Sequence, residues 1–171
     1  MRVINNIRMS LLAAWLGVAI YFSAVVAPSA FGVLRSFGLS NASEIAGTIV
    51  SRGLTVVNKS GLIFGLILLV TALAVRKCYG RVSFILQSVL IVVVAIAAAA
   101  GEWVIAARMR GLRAAMQGHI DQVPLDDPNR IAFAALHSYS VAALGVAMIA
   151  ALIVIVLMVV SRERVVTNST E

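Results

Sequence analysis

Four long apolar runs, separated by short stretches that hold most of the charges, are the feature that most constrains this fold. They cover about residues 9–30, 54–75, 82–107 and 131–160. A helix rises about 1.5 Å per residue and the hydrocarbon core of a bilayer is about 30 Å thick, so one crossing needs about 20 residues. Each run is therefore long enough to cross a membrane as a helix.

The composition excludes a water-soluble monomer. Apolar residues make up 61% of the chain and charged residues 12%, whereas ordinary soluble domains have about 45–50% and about 25%. Backbone polar groups cannot stay unpaired in lipid, and the runs lack the alternation of barrel strands, so helices are expected. We therefore predict that residues 1–171 form one all-α domain in the lipid bilayer, an integral membrane four-helix bundle with up-down-up-down connectivity.

The connections between the runs carry recognisable end signals. Residues 76–81 (RKCYGR) predict a tight basic hairpin between the second and third helices. Asn41 followed by Glu44 is typical of a capping box, and together with the apolar residues after it predicts a short interfacial helix between helices one and two. Asp127 followed by Pro128 predicts the start of the fourth helix.

Antiparallel crossings bring four helix ends together on one side of the membrane, and those ends hold most of the unusual residues. A charge at the bilayer centre costs about 2.5–3.5 kcal/mol on insertion scales, and less near the interface. Two interpretations stay open. Lys59 and Glu102 form a structural ion pair or anchor the interface, or the group lines a shared vestibule for a solute, ion or proton. We call this group the polar end: Pro28, Phe31, Asn58, Lys59, Glu102, Arg108, Arg113, His137 and Ser140.

Histidine and methionine residues raise the question of metal binding. His137 is the one ionisable side chain in the apolar part of the fourth helix; it serves either as a hydrogen-bonding residue or as a protonation or ligand site. Met109, Met116 and His119 are spaced to share a helical face and suit Cu(I), although such a stripe is also typical of amphipathic packing. We expect no resident metal and no cofactor.

Small residues recur at the spacing that lets helices approach closely. Gly61 and Gly65 form a GxxxG step, and Ala97 and Gly101 form a small-xxx-small step. Lipid provides no hydrophobic drive for helix association, so small residues favour it through closer contact. These faces predict packing within the bundle, and a homodimer face is the alternative.

Three short motifs, in order along the chain, resemble the transmembrane protein 205-like family, known in bacteria mainly as a domain of unknown function. Residues 27–31 (APSAF) are similar to its small-Pro-x-x-Phe turn, residues 104–116 to its basic stretch, and residues 133–140 (FAALHSYS) to its Phe-x-x-Leu-His-x-x-Ser signature. The resemblance implies a small four-helix integral membrane protein without a defined substrate. It implies six positions to test: Pro28, Phe31, Arg108, Arg113, His137 and Ser140.

The chain shows no nucleophile with a base, no paired carboxylates and no phosphate-binding loop, so we expect no enzyme. Its net charge of +7 lies in the loops without interleaved aromatics, which indicates contact with anionic headgroups and no nucleic acid. With both termini inside, each side carries seven Lys or Arg residues, Arg8 counted inside. The compact basic hairpin then favours cytoplasmic termini, in a bacterial inner membrane.

We therefore expect the polar end to bind or pass a small solute, ion or metal species. Four helices rarely enclose a substrate path, so this function predicts a homo-oligomer. The alternative is a membrane scaffold or accessory subunit that docks a membrane protein partner through its basic loops. A third interpretation is a copper-handling protein that uses Met109, Met116, His119 and His137.

Overall fold

The fold is helical throughout the part of the chain that the computed structural model describes, residues 2–76 and 79–167. No strand occurs among these residues, so the predicted all-α class is confirmed. Six α-helical stretches follow one another along the chain. They are α1 (Arg2–Tyr21), α2 (Ala27–Ser36), α3 (Ala42–Val75), α4 (Arg81–Ala99), α5 (Ala106–Ala115) and α6 (Pro128–Thr167).

Two π-helical segments join these stretches into longer helices. Phe22–Val26 connects α1 to α2, and Ala100–Ile105 connects α4 to α5. Pro28 accounts for the first segment, because proline lacks an N–H group and its ring crowds the carbonyl four residues earlier, which a wider turn accommodates. The first helix therefore passes through Pro28 and extends beyond its predicted end at residue 30.

Four helical spans are long and apolar enough to cross a membrane. Their mean hydropathy lies between 2.0 and 3.1, and only 28–33% of the most apolar window of each is buried within the protein. The remaining apolar surface needs a non-aqueous environment, which a lipid bilayer supplies. The spans are Val3–Ser36, Ala42–Val75, Arg81–Ala115 and Pro128–Val160.

The separate interfacial helix predicted between helices one and two does not exist. Helix α3 runs without a break from Ala42 to Val75, and Asn41 at its N-cap makes no side-chain capping hydrogen bond. The capping-box prediction is therefore wrong. By contrast, the predicted start of the fourth helix is confirmed, because Asp127 Oδ1 accepts the backbone N–H groups of Asn129 at 2.8 Å and Arg130 at 3.1 Å.

Contacts between α1 and α3 show that these two helices run antiparallel. Arg8 of α1 contacts Leu68 of α3. About two turns later in α1, Trp15 contacts Val57, which lies earlier in α3. The predicted hairpin lies between α3 and α4, with residues 77 and 78 outside the described part of the chain. The up-down order of the whole bundle stays a prediction.

The small residues singled out in the sequence serve two kinds of packing. A Cβ atom at Gly61 would lie 2.9 Å from the indole of Trp15, so this glycine makes room for a large side chain from α1. A Cβ atom at Gly65 would lie 3.2 Å from Cβ of Ala95, which is a close approach of α3 and α4. Ala97 is half-buried and packs against the core of the bundle.

The core of the bundle is formed by apolar side chains from α1, α3, α4 and α6, each less than one-tenth exposed. Small residues dominate the contribution of α6, which lets that helix lie close to its neighbours. The core includes Leu12, Trp15, Leu68, Ile91, Val94, Ala147, Ala151, Val154 and Met158.

Candidate functional site

The centre of the candidate site is a buried pair of polar residues on α3 and the second π-helical segment. Asn58 is 5% exposed and Glu102 is 6% exposed. Gly101 brings the two elements together, because a Cβ atom there would lie 3.0 Å from Nδ2 of Asn58. The absence of a side chain at Gly101 thus lets the Asn58 amide reach the backbone next to Glu102.

Glu102 is the unusual member of this pair. Its Oε2 atom is fully buried and has no hydrogen-bond donor in the structure. A carboxylate removed from water without a partner is costly, since burial of a charge is tolerated only when the charge is paired or neutralised. Oε2 of Glu102 is therefore a buried acceptor that receives no hydrogen bond within the described part of the chain.

The ion pair between Lys59 and Glu102, one of the interpretations left open by the sequence, does not form in the structure, whereas their role as interface anchors stays a prediction. The ion pairs found within the described residues both involve Glu44, and Lys59 is exposed. Successive helical residues point about 100° apart, so Lys59 turns away from the bundle when Asn58 points into it.

Other polar groups lie near this level of the bundle, and two of them, on Ser23 and Trp15, were not predicted from the sequence. Ser23 lies in the first π-helical segment, and its hydroxyl is buried without a partner. Trp15 donates its indole N–H to the Val57 carbonyl at 3.0 Å, directly before Asn58 in the chain. Ser140, a predicted candidate, is 7% exposed on α6, a helix that packs against the second π-helical segment.

The remaining residues of the predicted polar end do not join this centre. Pro28 and Arg108 are exposed, Phe31 is half-buried, and His137 is exposed on α6. The structure thus divides the predicted group into buried residues between helices (Asn58, Glu102 and Ser140) and residues on the outside of the bundle.

A second group of charged residues connects α3 to α5 and to the loop between α5 and α6. We call this group, which consists of Glu44, Arg113, His119 and Asp121, the interloop cluster. Glu44 Oε2 accepts hydrogen bonds from Nη2 of Arg113 and, at 3.1 Å, from the backbone N–H of Ile120. The same oxygen lies 3.2 Å from Nδ1 of His119. Arg113, a predicted polar-end candidate, is therefore engaged in structural contacts.

Asp121 performs the capping role that the sequence had assigned to Asn41. Its Oδ2 atom accepts the backbone N–H groups of Ser43 at 3.1 Å and Glu44 at 3.3 Å, the first free donors of α3. Burial would raise the pKa of Asp121, but the hydrogen bonds from Ser43 and Glu44 outweigh it and hold the pKa below its ordinary value. The cap is therefore a carboxylate at a helix N-terminus, which is electrostatically favourable.

The copper candidates lie on α5 (Met109) and in the loop that follows it (Met116 and His119). Met116 is 7% exposed and packed in the protein, Met109 is half-buried, and His119 points its Nδ1 atom at Glu44. Within the described ranges, no group of three or more His, Cys, Asp or Glu residues is placed to hold a metal ion.

The opposite end of the bundle holds a polar group that the sequence did not reveal. Arg8 is 2% exposed and its Nη2 atom donates to the Leu68 carbonyl at 3.3 Å. Gln87 of α4 is 3% exposed and donates to Ser83 Oγ at 3.2 Å. Arg8 is thus not the tail charge that the count of inner basic residues assumed.

Four apolar helical spans with polar side chains buried between them define an integral membrane protein. Residues 10–118 match the family described as a domain of unknown function (DUF4149). The chain belongs to that family, and the matched part includes Asn58 and Glu102 and ends before His137. No curated protein and no solved structure matches the chain.

Proposed function

We propose that this is a non-enzymatic membrane protein that binds and passes a proton or small cation, alone or with a solute, past Glu102. One observation carries the proposal: Oε2 of Glu102 is buried between helices and receives no hydrogen bond. Ionisable residues inside membrane bundles are rare and typically mark ion or proton pathways. A proton or cation at this oxygen would remove the cost of burying the charge.

The surroundings of Glu102 support a binding role. The Asn58 amide supplies an oxygen of the kind that hard cations prefer, and Gly101 lets it come close to the Glu102 backbone. Glu102 also lies in a π-helical segment, Ala100–Ile105. Such segments inside α-helices are frequent at functional sites.

The proposal includes the assembly and the setting of the protein. Four helices rarely enclose a path, so we place the Glu102 site in a homo-oligomer of at least two copies in a bacterial inner membrane, with cytoplasmic termini. The motif at residues 27–31 and the signature at residues 133–140 further support a transmembrane protein 205-like assignment. That signature includes His137 and Ser140.

The proposal is tested by ion flux in proteoliposomes that contain the purified protein and an entrapped pH-sensitive dye. Under a potassium diffusion potential, wild type should dissipate the imposed gradient. Glu102→Gln removes the ionisable group at nearly constant volume and should reduce the flux at least tenfold. Asn58→Ala should reduce it less, because it removes only a secondary ligand.

The matched control is Asp126→Asn, which removes an exposed loop carboxylate and should leave the flux unchanged. Each variant is compared at equal reconstituted amount and equal thermal midpoint in detergent. A repeat with sodium or lithium gradients distinguishes a proton from a small cation. Equal flux in wild type and Glu102→Gln would refute the role of the carboxylate.

A second candidate function is a membrane scaffold that docks a partner through basic residues. The observation that favours it is the exposure of Arg108 and Arg110 on α5, a helix whose Arg113 is held by the interloop cluster. The contact of Arg113 with Glu44 would thus hold α5 in place while Arg108 and Arg110 stay exposed to a partner. Loss of crosslinking to a co-purified membrane protein in Arg108→Ala/Arg110→Ala, with no flux defect in Glu102→Gln, would favour this function.

A further inference from the structure

Arg8 is a buried cation that forms no ion pair with any described side chain. It is the largest of the side chains that are essentially fully buried, and its Nε and Nη1 atoms have no hydrogen-bond partner. Among the described side chains no carboxylate pairs with it, because both ion pairs found there belong to Glu44. Guanidinium groups stay charged in proteins, so Arg8 cannot escape this cost by losing a proton.

The contacts that Arg8 makes engage only part of its guanidinium group. Its Nη2 atom shares the carbonyl of Leu68 at 3.3 Å, a group already used within α3. The guanidinium also interacts with the hydroxyl of Tyr79, and that hydroxyl donates to Asn5. These contacts leave Nε and Nη1 of the guanidinium without an acceptor.

We propose that Arg8 is the centre of an anion site at the hairpin end of the bundle, and that its ligand is an oxyanion, a phosphate or carboxylate group. The planar guanidinium has donors left over on Nε and Nη1, and its geometry matches oxyanions better than spherical ions. The half-buried Tyr79 contacts both Arg8 and Asn5, so it links the buried guanidinium to the surface at this end. This inference is independent of the function proposed for Glu102.

Position along the helices favours access from the membrane interface. Leu68, the contact of Arg8, lies seven residues before the end of α3 at Val75, which is about 10 Å of helix. A phosphate could therefore arrive from the aqueous side or belong to an anionic lipid headgroup. Both sources present the same chemistry to Arg8, and the experiment distinguishes them.

The test uses full-length protein in detergent, after delipidation, and measures thermal unfolding during titration with inorganic phosphate. Sodium chloride at equal ionic strength is the reference. Free-anion binding should raise the wild-type midpoint in a saturable way, by about 5–10 °C when phosphate is about 100-fold above its Kd. Arg8→Gln should abolish the phosphate-dependent rise, and Arg8→Lys should weaken the binding about tenfold.

The matched control is Arg81→Gln, which removes an exposed arginine at the same end and should respond as wild type does. Native mass spectrometry of protein that was not delipidated tests the second source. A phospholipid retained by wild type and Arg81→Gln, but lost in Arg8→Gln, assigns the headgroup. If Arg8→Gln does not fold, Arg8→Lys decides by the same criteria.

The proposal is overturned by either of two results. In the first, wild type shows neither a phosphate-dependent shift nor a retained anionic lipid. In the second, the Arg8 variant gives the wild-type response in both measurements. Arg8 would then be a structural residue that joins α1 to the Leu68 carbonyl of α3.

Discussion

The fit of Trp15 against Gly61 allows a sharp test of how the bundle is held together. A Cβ atom at Gly61 would lie 2.9 Å from three atoms of the indole, Cε2, Cζ2 and Nε1. Contacts that short require a shift of the neighbour, and the indole is held by its hydrogen bond to the Val57 carbonyl at 3.0 Å. Gly61→Ala therefore displaces a buried, rigid side chain.

The magnitude follows from three terms. Overpacking a core by a methyl group costs about 1–3 kcal/mol, and loss of the indole hydrogen bond adds about 0.5–1.5 kcal/mol. The gain in helix propensity from glycine to alanine returns about 1 kcal/mol. Gly61→Ala should therefore destabilise the protein by about 0.5–3.5 kcal/mol.

The assay is reversible unfolding in mixed micelles, followed by tryptophan fluorescence in a Trp103→Phe background so that only Trp15 reports. The matched control is Gly17→Ala, because a Cβ atom there meets nothing within 4 Å. That control should be neutral or stabilising, and the Trp15 emission should shift only in Gly61→Ala. Equal stability and equal emission in both variants would refute the argument.

Two further predictions concern the interloop cluster. Because the pKa of Asp121 is lowered in the folded protein, its stabilising effect is fully present above the unfolded pKa of about 3.9 and is lost as the pH falls through the lower folded pKa. Acid titration of wild type should show this loss below about pH 4, and Asp121→Asn should flatten it; parallel curves would contradict the capping role. In a double-mutant cycle of unfolding free energies, Glu44→Gln and Arg113→Ala should give a coupling of at most about 1 kcal/mol, because both side chains are about one-quarter exposed. A coupling above about 2 kcal/mol would show that the pair is shielded from water.

The fold class could be predicted because it depends on segment length and hydropathy, which are properties of the sequence alone. The ends of the helices were harder to predict from the sequence. The Asn41 and Glu44 pattern predicted a local cap for α3. The cap is instead provided by Asp121, a residue 78 positions from Ser43 that the tertiary fold brings to the same helix end. Local capping signals cannot anticipate such a competitor.

The candidate site was predicted in part because depth along a helix can be read from spacing, whereas direction around the helix cannot. Spacing identified Glu102 and Asn58 as polar residues within apolar runs, and both are buried. It also grouped them with Lys59 and His137, which face away from the bundle. In a helix that is apolar all round, no pattern of polar residues marks which face is inside.

Arg8 escaped prediction for the same reason at the other end of the bundle. A charge near the start of an apolar run is typically a loop or interface charge, and such charges are counted in orientation rules. Only the packing of α1 against α3 shows that this side chain points inward, onto the Leu68 carbonyl. A signal in the sequence would have been its helical register, since Arg8 lies on the face of Leu12 and Trp15.

The two buried ionisable side chains, Arg8 and Glu102, lie too far apart to form an ion pair. Arg8 contacts α3 at Leu68, whereas Gly101, the neighbour of Glu102, packs against Asn58. Asn58 lies ten residues before Leu68 on α3, which is about 15 Å along the helix. At that separation and an effective dielectric constant of about 20, their attraction is about 1 kcal/mol. Burying each ion costs several kcal/mol. Neither side chain can therefore serve as the main partner of the other, which is why a cation or proton at one end and an oxyanion at the other are separate proposals with separate tests.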